Sequence, residues 1–253
     1  MLLSPVLTFI VLVVGILIGG VGIGGVLLVP ALKYLGGIPL HVAIPACMFS
    51  YIVTGLVGAF IYARHGTINW PLAIKVCVGA LPGAYIGAFL LPYFSAIVLE
   101  LGIALLILAS GIYAWRNNGP PNDDSGSETN RCSSTAALVA IGLITGIGSA
   151  LTGTGGPLLL VPILIWRKLP ILTAIGLSQA IQVPISVMAT LGNLVYTEVD
   201  IKLGLTLALV LGGGALLGAK VSHMLPVEIL KKSVAGLLIA VGLVMLYRLP
   251  MQL

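Results

Sequence analysis

Glycine, the least reactive residue, carries the strongest chemical signal in this chain. Two segments, GGVGIGGVLLVP from Gly19 to Pro30 and LTGTGGPLLLVP from Leu151 to Pro162, place a glycine cluster directly before an apolar run. A glycine inside a helix costs ~1 kcal/mol relative to alanine, so each cluster predicts a break in regular structure. The apolar run that follows is expected to start a new helix, with Pro157 at the first helical position, where its missing N–H matters least. Unpaired backbone N–H groups and the positive end of the helix dipole then face the break, a setting that favours an anion with several oxygens. Glycine lets such an anion approach the backbone closely. The expected substrate-binding set is Gly22, Gly24 and Gly25 in the first segment and Thr152, Gly153, Thr154, Gly155 and Gly156 in the second. The competing reading is that the glycines serve only close helix packing.

A second pattern lies downstream of each cluster. Ser178, Gln179, Gln182, Ser186, Thr190 and Asn193 include several spacings of three or four, which share a face of one helix, and Ser50, Tyr51 and Thr54 interrupt an otherwise apolar run. Ser50, Tyr51, Gln179 and Gln182 are therefore added to the expected site as hydroxyl and amide donors. Interhelical hydrogen bonding explains such a stripe equally well.

Several other chemistries are disfavoured. Gly20 to Gly25 spell G-x-G-x-x-G, but no strand–helix–strand unit surrounds them and no acidic residue lies about 20 positions on, so a dinucleotide site is rejected. Ser149 has no histidine at mid-depth to act as its base, and no enzymatic activity is expected. Glu100, Glu198, Asp200 and Glu228 fall near the ends of apolar runs, which argues against a buried carboxylate relay, and His41, His65 and His223 are expected at interfaces. Cys47, Cys77 and Cys132 show neither disulfide nor metal spacing, so no metal and no cofactor is expected.

These residues must be positioned inside a membrane. Of 253 residues 59% are hydrophobic and 8% charged, and mean hydropathy is +1.18. Runs free of Lys, Arg, Asp and Glu cover residues 1–32, 34–63, 76–99, 132–166 and 169–197, each at or above the ~20 residues that cross a hydrocarbon core as a helix. An all-α polytopic membrane protein is expected. Strands of alternating polarity, the mark of an outer-membrane barrel, are missing from the pattern. The net charge of +5 resides mostly in Lys and Arg between apolar runs, which fits topology signals and contact with the lipid bilayer rather than nucleic acid. The first segment lacks a positive n-region and reads as a retained helix.

The chain also matches itself at a spacing of 131 residues. Gly15, Gly22, Gly24 and Gly25 pair with Gly146, Gly153, Gly155 and Gly156, and Pro82–Ala88 pairs with Gly213–Ala219. Residues 1–115 are read as a first membrane repeat, 116–134 as a polar linker and 135–253 as a second repeat. Each repeat is expected to hold a glycine-broken element (about 5–35 and 135–166) and three transmembrane helices, near 41–63, 70–92 and 96–115, and near 171–196, 201–223 and 227–248. Each broken element either crosses with an unwound middle or re-enters on the side it came from. Crossing divides the flanking Lys and Arg six against five, whereas re-entry divides them eight against three, so the positive-inside rule selects re-entry. Three full crossings per repeat then make the repeats inverted.

The paired motifs GxGGVLLVP and TGTGGPLLLVP, each followed by a proline-containing loop and an apolar helix, resemble the TauE/SafE-type sulfite exporter family, grouped with toluene-sulfonate uptake permeases. The resemblance implies a multi-pass permease of the cytoplasmic (inner) membrane for sulfite, sulfonates or related sulfur-containing anions. It also implies a substrate-site role for Gly22, Gly24, Gly25, Gly153, Gly155 and Gly156. Thr154 stands where the first repeat has Ile23, and Pro157 where it has Val26, so the site need not be symmetric. Alternating access is the expected mechanism, with an uncoupled, channel-like facilitator as the alternative.

Overall fold

A computed structural model of the chain describes residues 4–21, 24–116, 135–167, 169, 171–221 and 227–249. Ten α-helices follow one another among the described residues: α1 Pro5–Val21, α2 Leu28–Tyr34, α3 Leu40–Arg64, α4 Trp70–Leu90, α5 Ala96–Arg116, α6 Thr135–Thr152, α7 Pro157–Trp166, α8 Ile171–Tyr196, α9 Ile201–Val221 and α10 Val227–Arg248. Short 3-10 turns at Gly24–Leu27 and Leu91–Tyr93 precede α2 and follow α4. Six helices among the described residues are long and apolar enough to cross a bilayer: Leu40–Arg64, Trp70–Tyr93, Ala96–Tyr113, Thr135–Thr152, Thr173–Tyr196 and Ile201–Gly218. The protein is thus an all-α polytopic membrane protein. Its polar linker lies outside the described residues from 117 to 134.

Local chemistry sets the helix limits. The Asn69 side chain accepts from the Leu72 N–H (3.2 Å) and Asp200 Oδ1 from the Leu203 N–H (2.9 Å), capping α4 and α9. Past the ends of α2 and α3, Gly37 (φ +64°) and Gly66 (φ +66°) take the left-handed conformation that turns the chain out of the helix. Apolar side chains such as Phe9, Phe60, Ile74 and Leu209 are exposed, as a surface facing lipid requires.

Helix pairing interlocks the two halves. α4 lies along α6 and α1 along α9, while α3 packs on α8 and α5 on α10. The glycines that permit these crossings correspond at the 131-residue spacing. A methyl on Gly83 would strike the Leu143 carbonyl, and one on Gly214 the Leu12 carbonyl; Gly87 meets Ile147 as Gly218 meets Ile16. Register along each pair gives its direction. Gly55 meets Val183 while Gly58 meets Gln179, so α3 and α8 run antiparallel, and Gly111 with Ile239 against Gly242 with Leu108 shows the same for α5 and α10.

Both broken elements fold back on themselves. Gly24 packs against Val14, Leu17 and Ile18, and Gly36 against the side chain of Leu7, so the chain after the break retraces α1 towards its start. In the second half Gly148 packs against Leu159 across the corresponding bend. The arms are unequal: α6 has 18 residues and α7 has 10, while α1 has 17 and α2 has 7.

One difference from the sequence reading concerns Glu100. It lies near the start of α5, as its place in the sequence indicates, yet it is buried, at 1% exposure, and pairs with Lys33 and with the hydroxyl of Tyr34. The returning arm α2 covers it, and Arg248 at the end of α10 lies over the Tyr34 ring at 5.2 Å.

Candidate functional site

The two glycine breaks meet. A methyl on Gly25 would lie 3.2 Å from both the Thr154 carbonyl oxygen and the Tyr51 hydroxyl, and one on Gly155 would lie 2.9 Å from the Tyr51 ring. Tyr51 of α3 therefore stands between the breaks, fully buried, and its hydroxyl donates to the Gly25 carbonyl at 2.5 Å. Gly156 faces Ile185 of α8, and Gly153 faces Val29 and Ile44, so parts of both halves enclose the second break.

The breaks have different backbones. Gly24 and Gly25 remain in a right-handed 3-10 turn that leads directly into α2. Gly153, Gly155 and Gly156 have φ of +67°, +78° and +109°, a region that L-residues with side chains rarely adopt. Among the described residues, the positive-φ glycines of the breaks all belong to the second one. The Gly153 and Thr154 N–H groups both donate to the Ser149 carbonyl, closing α6. Gly156 O accepts from the Leu159 and Leu160 N–H groups, which starts α7 at Pro157. The N–H groups of Gly155 and Gly156 enter no backbone hydrogen bond among the described residues.

Side chains around the breaks divide by role. Gln179 donates from Nε2 to the Ile18 carbonyl (3.2 Å), tying α8 to the last turns of α1, and Gln182 donates to the Thr54 hydroxyl (3.0 Å), which itself donates to the Tyr51 carbonyl (3.3 Å). Thr152 donates to the Gly148 carbonyl (2.6 Å), and its hydroxyl lies 3.1 Å from that of Thr154. The Ser50 hydroxyl turns back to the Cys47 carbonyl of its own helix (2.7 Å). Gly22 lies outside the described residues. Structure therefore brings Gly25, Tyr51, Thr154 and Gly155 into one place, links Gln182 to Tyr51 through Thr54 and Gln179 to the end of α1, and leaves Ser50 occupied locally.

Hydrogen-bonding capacity remains unused here. Among the described residues, Gln179 Oε1 and Gln182 Oε1 are buried without partners, as are the hydroxyls of Thr145 and Ser149 on α6 and of Ser186 and Thr190 on α8. Both polar atoms of the Asn193 side chain are unpartnered too. Buried polar groups are satisfied in the large majority of cases, so such a cluster is unusual. Sequence periodicity reveals the α8 stripe; Thr145 carries no comparable signal, because a lone hydroxyl in an apolar helix ordinarily bonds its own backbone. Among the described residues Glu100 is the one buried charged side chain, so the groups lining the breaks are neutral.

Comparison with known proteins supplies the family. The model of the sulfite exporter TauE/SafE family matches residues 7–245, and the chain belongs to that family. It is 29% identical over 267 residues to a probable membrane transporter protein of Methanocaldococcus jannaschii, covering 97% of this chain and 96% of that one. A probable membrane transporter protein of Bacillus subtilis is 25% identical over 235 residues, covering 92% and 96%. One from Xylella fastidiosa is 35% identical over 101 residues, covering 39% and 38%. No solved structure matches the chain. The chain is a multi-pass membrane transporter.

Proposed function

We propose that this transporter moves sulfite, a sulfonate or a related sulfur-containing anion across the cytoplasmic membrane by alternating access, binding it where the glycine breaks of two inverted repeats meet. The family supports the substrate class. What carries the site is that Gly25 and Gly155, one from each half, converge on the single side chain of Tyr51. Unpaired N–H groups at Gly155 and Gly156 and the N-terminus of α7 supply positive potential without a fixed charge. An anion held by neutral donors can leave again, which a carrier needs.

Inversion follows from the antiparallel course of α3 against α8 and of α5 against α10. Re-entry of the hairpins is supported by Gly36 beside Leu7 and by Arg248 beside Tyr34, since both contacts join segments that a crossing element would hold apart. By the positive-inside rule the end of the bundle bearing Arg64, Arg116 and Arg167 faces the cytoplasm.

An uncoupled facilitator is the second reading. It is favoured by the place of the one buried carboxylate described, which faces Lys33 and Tyr34 rather than the glycine breaks. Uptake of radiolabelled sulfite, thiosulfate and a small sulfonate into proteoliposomes, with and without an imposed pH gradient, tests both. Saturable flux that responds to the gradient is expected for a coupled carrier; flux indifferent to it identifies the facilitator, and absence of flux for all three anions removes the substrate class.

A further inference from the structure

The unpartnered polar groups of α6 and α8 lie at one level of the bundle. Gly146 and Ala150 of α6 pack against Ala84 and Gly87 of α4, and Gly192 of α8 packs against Ala88 of α4, so residues near 150 stand level with residues near 192. α4 runs parallel to α6, through Gly79 with Val139 and Gly87 with Ile147, and its start and end contact α8 near Gly176 and Gly192. The three helices thus point the same way. Thr145 and Ser149 stand four residues apart on one side of α6, at the height of Ser186, Thr190 and Asn193 of α8, and α6 touches α8 directly.

All five side chains are buried, from 0% exposure at Thr145, Ser149, Ser186 and Asn193 to 5% at Thr190. Their polar side-chain atoms lack partners among the described residues. Two helices stitched together by hydrogen bonds would show these groups bonded to one another. They are not, and in hydrocarbon each unsatisfied group is costly. The second break lies alongside this row, with Gly156 facing Ile185 and Gly153 facing Ile44; beyond the row α8 finishes at Tyr196, whose hydroxyl lies 3.2 Å from that of Tyr85.

We propose that Thr145, Ser149, Ser186, Thr190 and Asn193 line a hydrated path between α6 and α8 through which an oxyanion travels between the second glycine break and the non-cytoplasmic end of α8. The inference rests on the transport reading above and adds to it a route and its lining. Four hydroxyls and the Asn193 amide donate to anion oxygens, while Asn193 Oδ1 accepts from water, so the occupant is a partly hydrated oxyanion. The path belongs to one half alone. At the 131-residue spacing its positions are Val14, Ile18, Gly55, Ala59 and Tyr62 in the first half, which offer one hydroxyl between them.

Accessibility of single cysteines tests this. With Cys47, Cys77 and Cys132 replaced by alanine, Ser186→Cys, Thr190→Cys and Asn193→Cys are treated in intact membranes with anionic and cationic thiosulfonate reagents, beside the buried controls Val14→Cys and Ala104→Cys. The path predicts labelling at 186, 190 and 193 at least about tenfold faster than at the controls, and faster with the anionic reagent. Labelling no faster than at Val14→Cys overturns it. Thr190→Val in the chain with its native cysteines provides a second test that does not depend on the background. A path predicts anion flux lowered about tenfold; unchanged flux together with a raised melting temperature shows a dry contact and overturns it. Failure of the route and failure of the site are distinguishable, because Gly155→Leu abolishes flux without drying the outer positions if only the site depends on it. Loss of flux in Gly155→Leu with slow labelling at 186, 190 and 193 would keep the site and remove the path.

Discussion

The two glycine hairpins share a sequence pattern and differ in what they do with it. In the first, Gly24 and Gly25 stay in a 3-10 turn and Gly24 packs against the backbone of Val14 and Ile18. In the second, three glycines take positive φ and two N–H groups stay unpaired by the backbone. Thr154 for Ile23 and Pro157 for Val26 contribute to that difference, one adding a hydroxyl and the other fixing where α7 begins. The following helices diverge in the same sense. Met48, Tyr51, Gly55, Ala59 and Tyr62 of α3 correspond to Gln179, Gln182, Ser186, Thr190 and Asn193 of α8. Helix crossings match between the halves contact for contact, while the polar groups do not. Among the described residues, the unpartnered buried polar side chains all lie in the second half, while the first half supplies the aromatic side chain of Tyr51.

That division can be broken by substitution. The largest effect is expected from Gly155→Leu, whose side chain meets the Tyr51 ring from a backbone at φ +78°; flux in proteoliposomes should fall more than about a hundredfold while the protein remains in the membrane at normal level. Gly24→Leu should act differently. Its Cβ would lie 2.7 Å from the Leu17 Cβ and 2.8 Å from backbone atoms of α1, so loss of folded protein, read by detergent-solubilised yield, precedes any loss of flux.

Next in size is Glu100→Ala, which removes the buried carboxylate that pairs with Lys33 and Tyr34. Truncating one member of a buried pair costs about 3–5 kcal/mol, and a lowered melting temperature in detergent checks it. Replacing both residues, as Lys33→Met with Glu100→Leu, should restore much of the loss, since an apolar pair of similar volume is often neutral. The first half alone has this pair: Lys231 stands at the position matching Glu100.

Tyr51→Phe sharpens the comparison at smaller cost. It removes one hydrogen bond to the Gly25 carbonyl, worth about 1 kcal/mol, and keeps the ring against Gly155; a modest fall in melting temperature with measurable flux is expected. Ser50→Ala should be nearly silent in both assays, because its hydroxyl bonds its own helix. A tenfold loss of flux in Ser50→Ala would place the substrate on the first half and reverse the division.

Much of the architecture was legible in the sequence. Charge-free runs located α3 to α5 and α8 to α10 within a few residues, because membrane helices are bounded by polar residues. The glycine breaks were legible for a different physical reason, the cost of glycine inside a helix. Burial of Glu100 was not. Its position four residues into α5 reads as a helix end, and only the returning arm α2, a tertiary feature, removes it from water. Nor could periodicity foretell that Ser50 would bond locally while Tyr51, its neighbour, would bridge the two breaks. The role of Thr145 emerged only from its height beside α8.

Equilibrium binding tests the central claim most directly. Purified protein in detergent, titrated with radiolabelled thiosulfate in parallel with Gly155→Leu and Ser50→Ala at matched melting temperature, should bind the anion saturably as wild type and as Ser50→Ala, and Gly155→Leu should show no saturable binding. Equal binding by all three would contradict an anion site at the meeting of the glycine breaks.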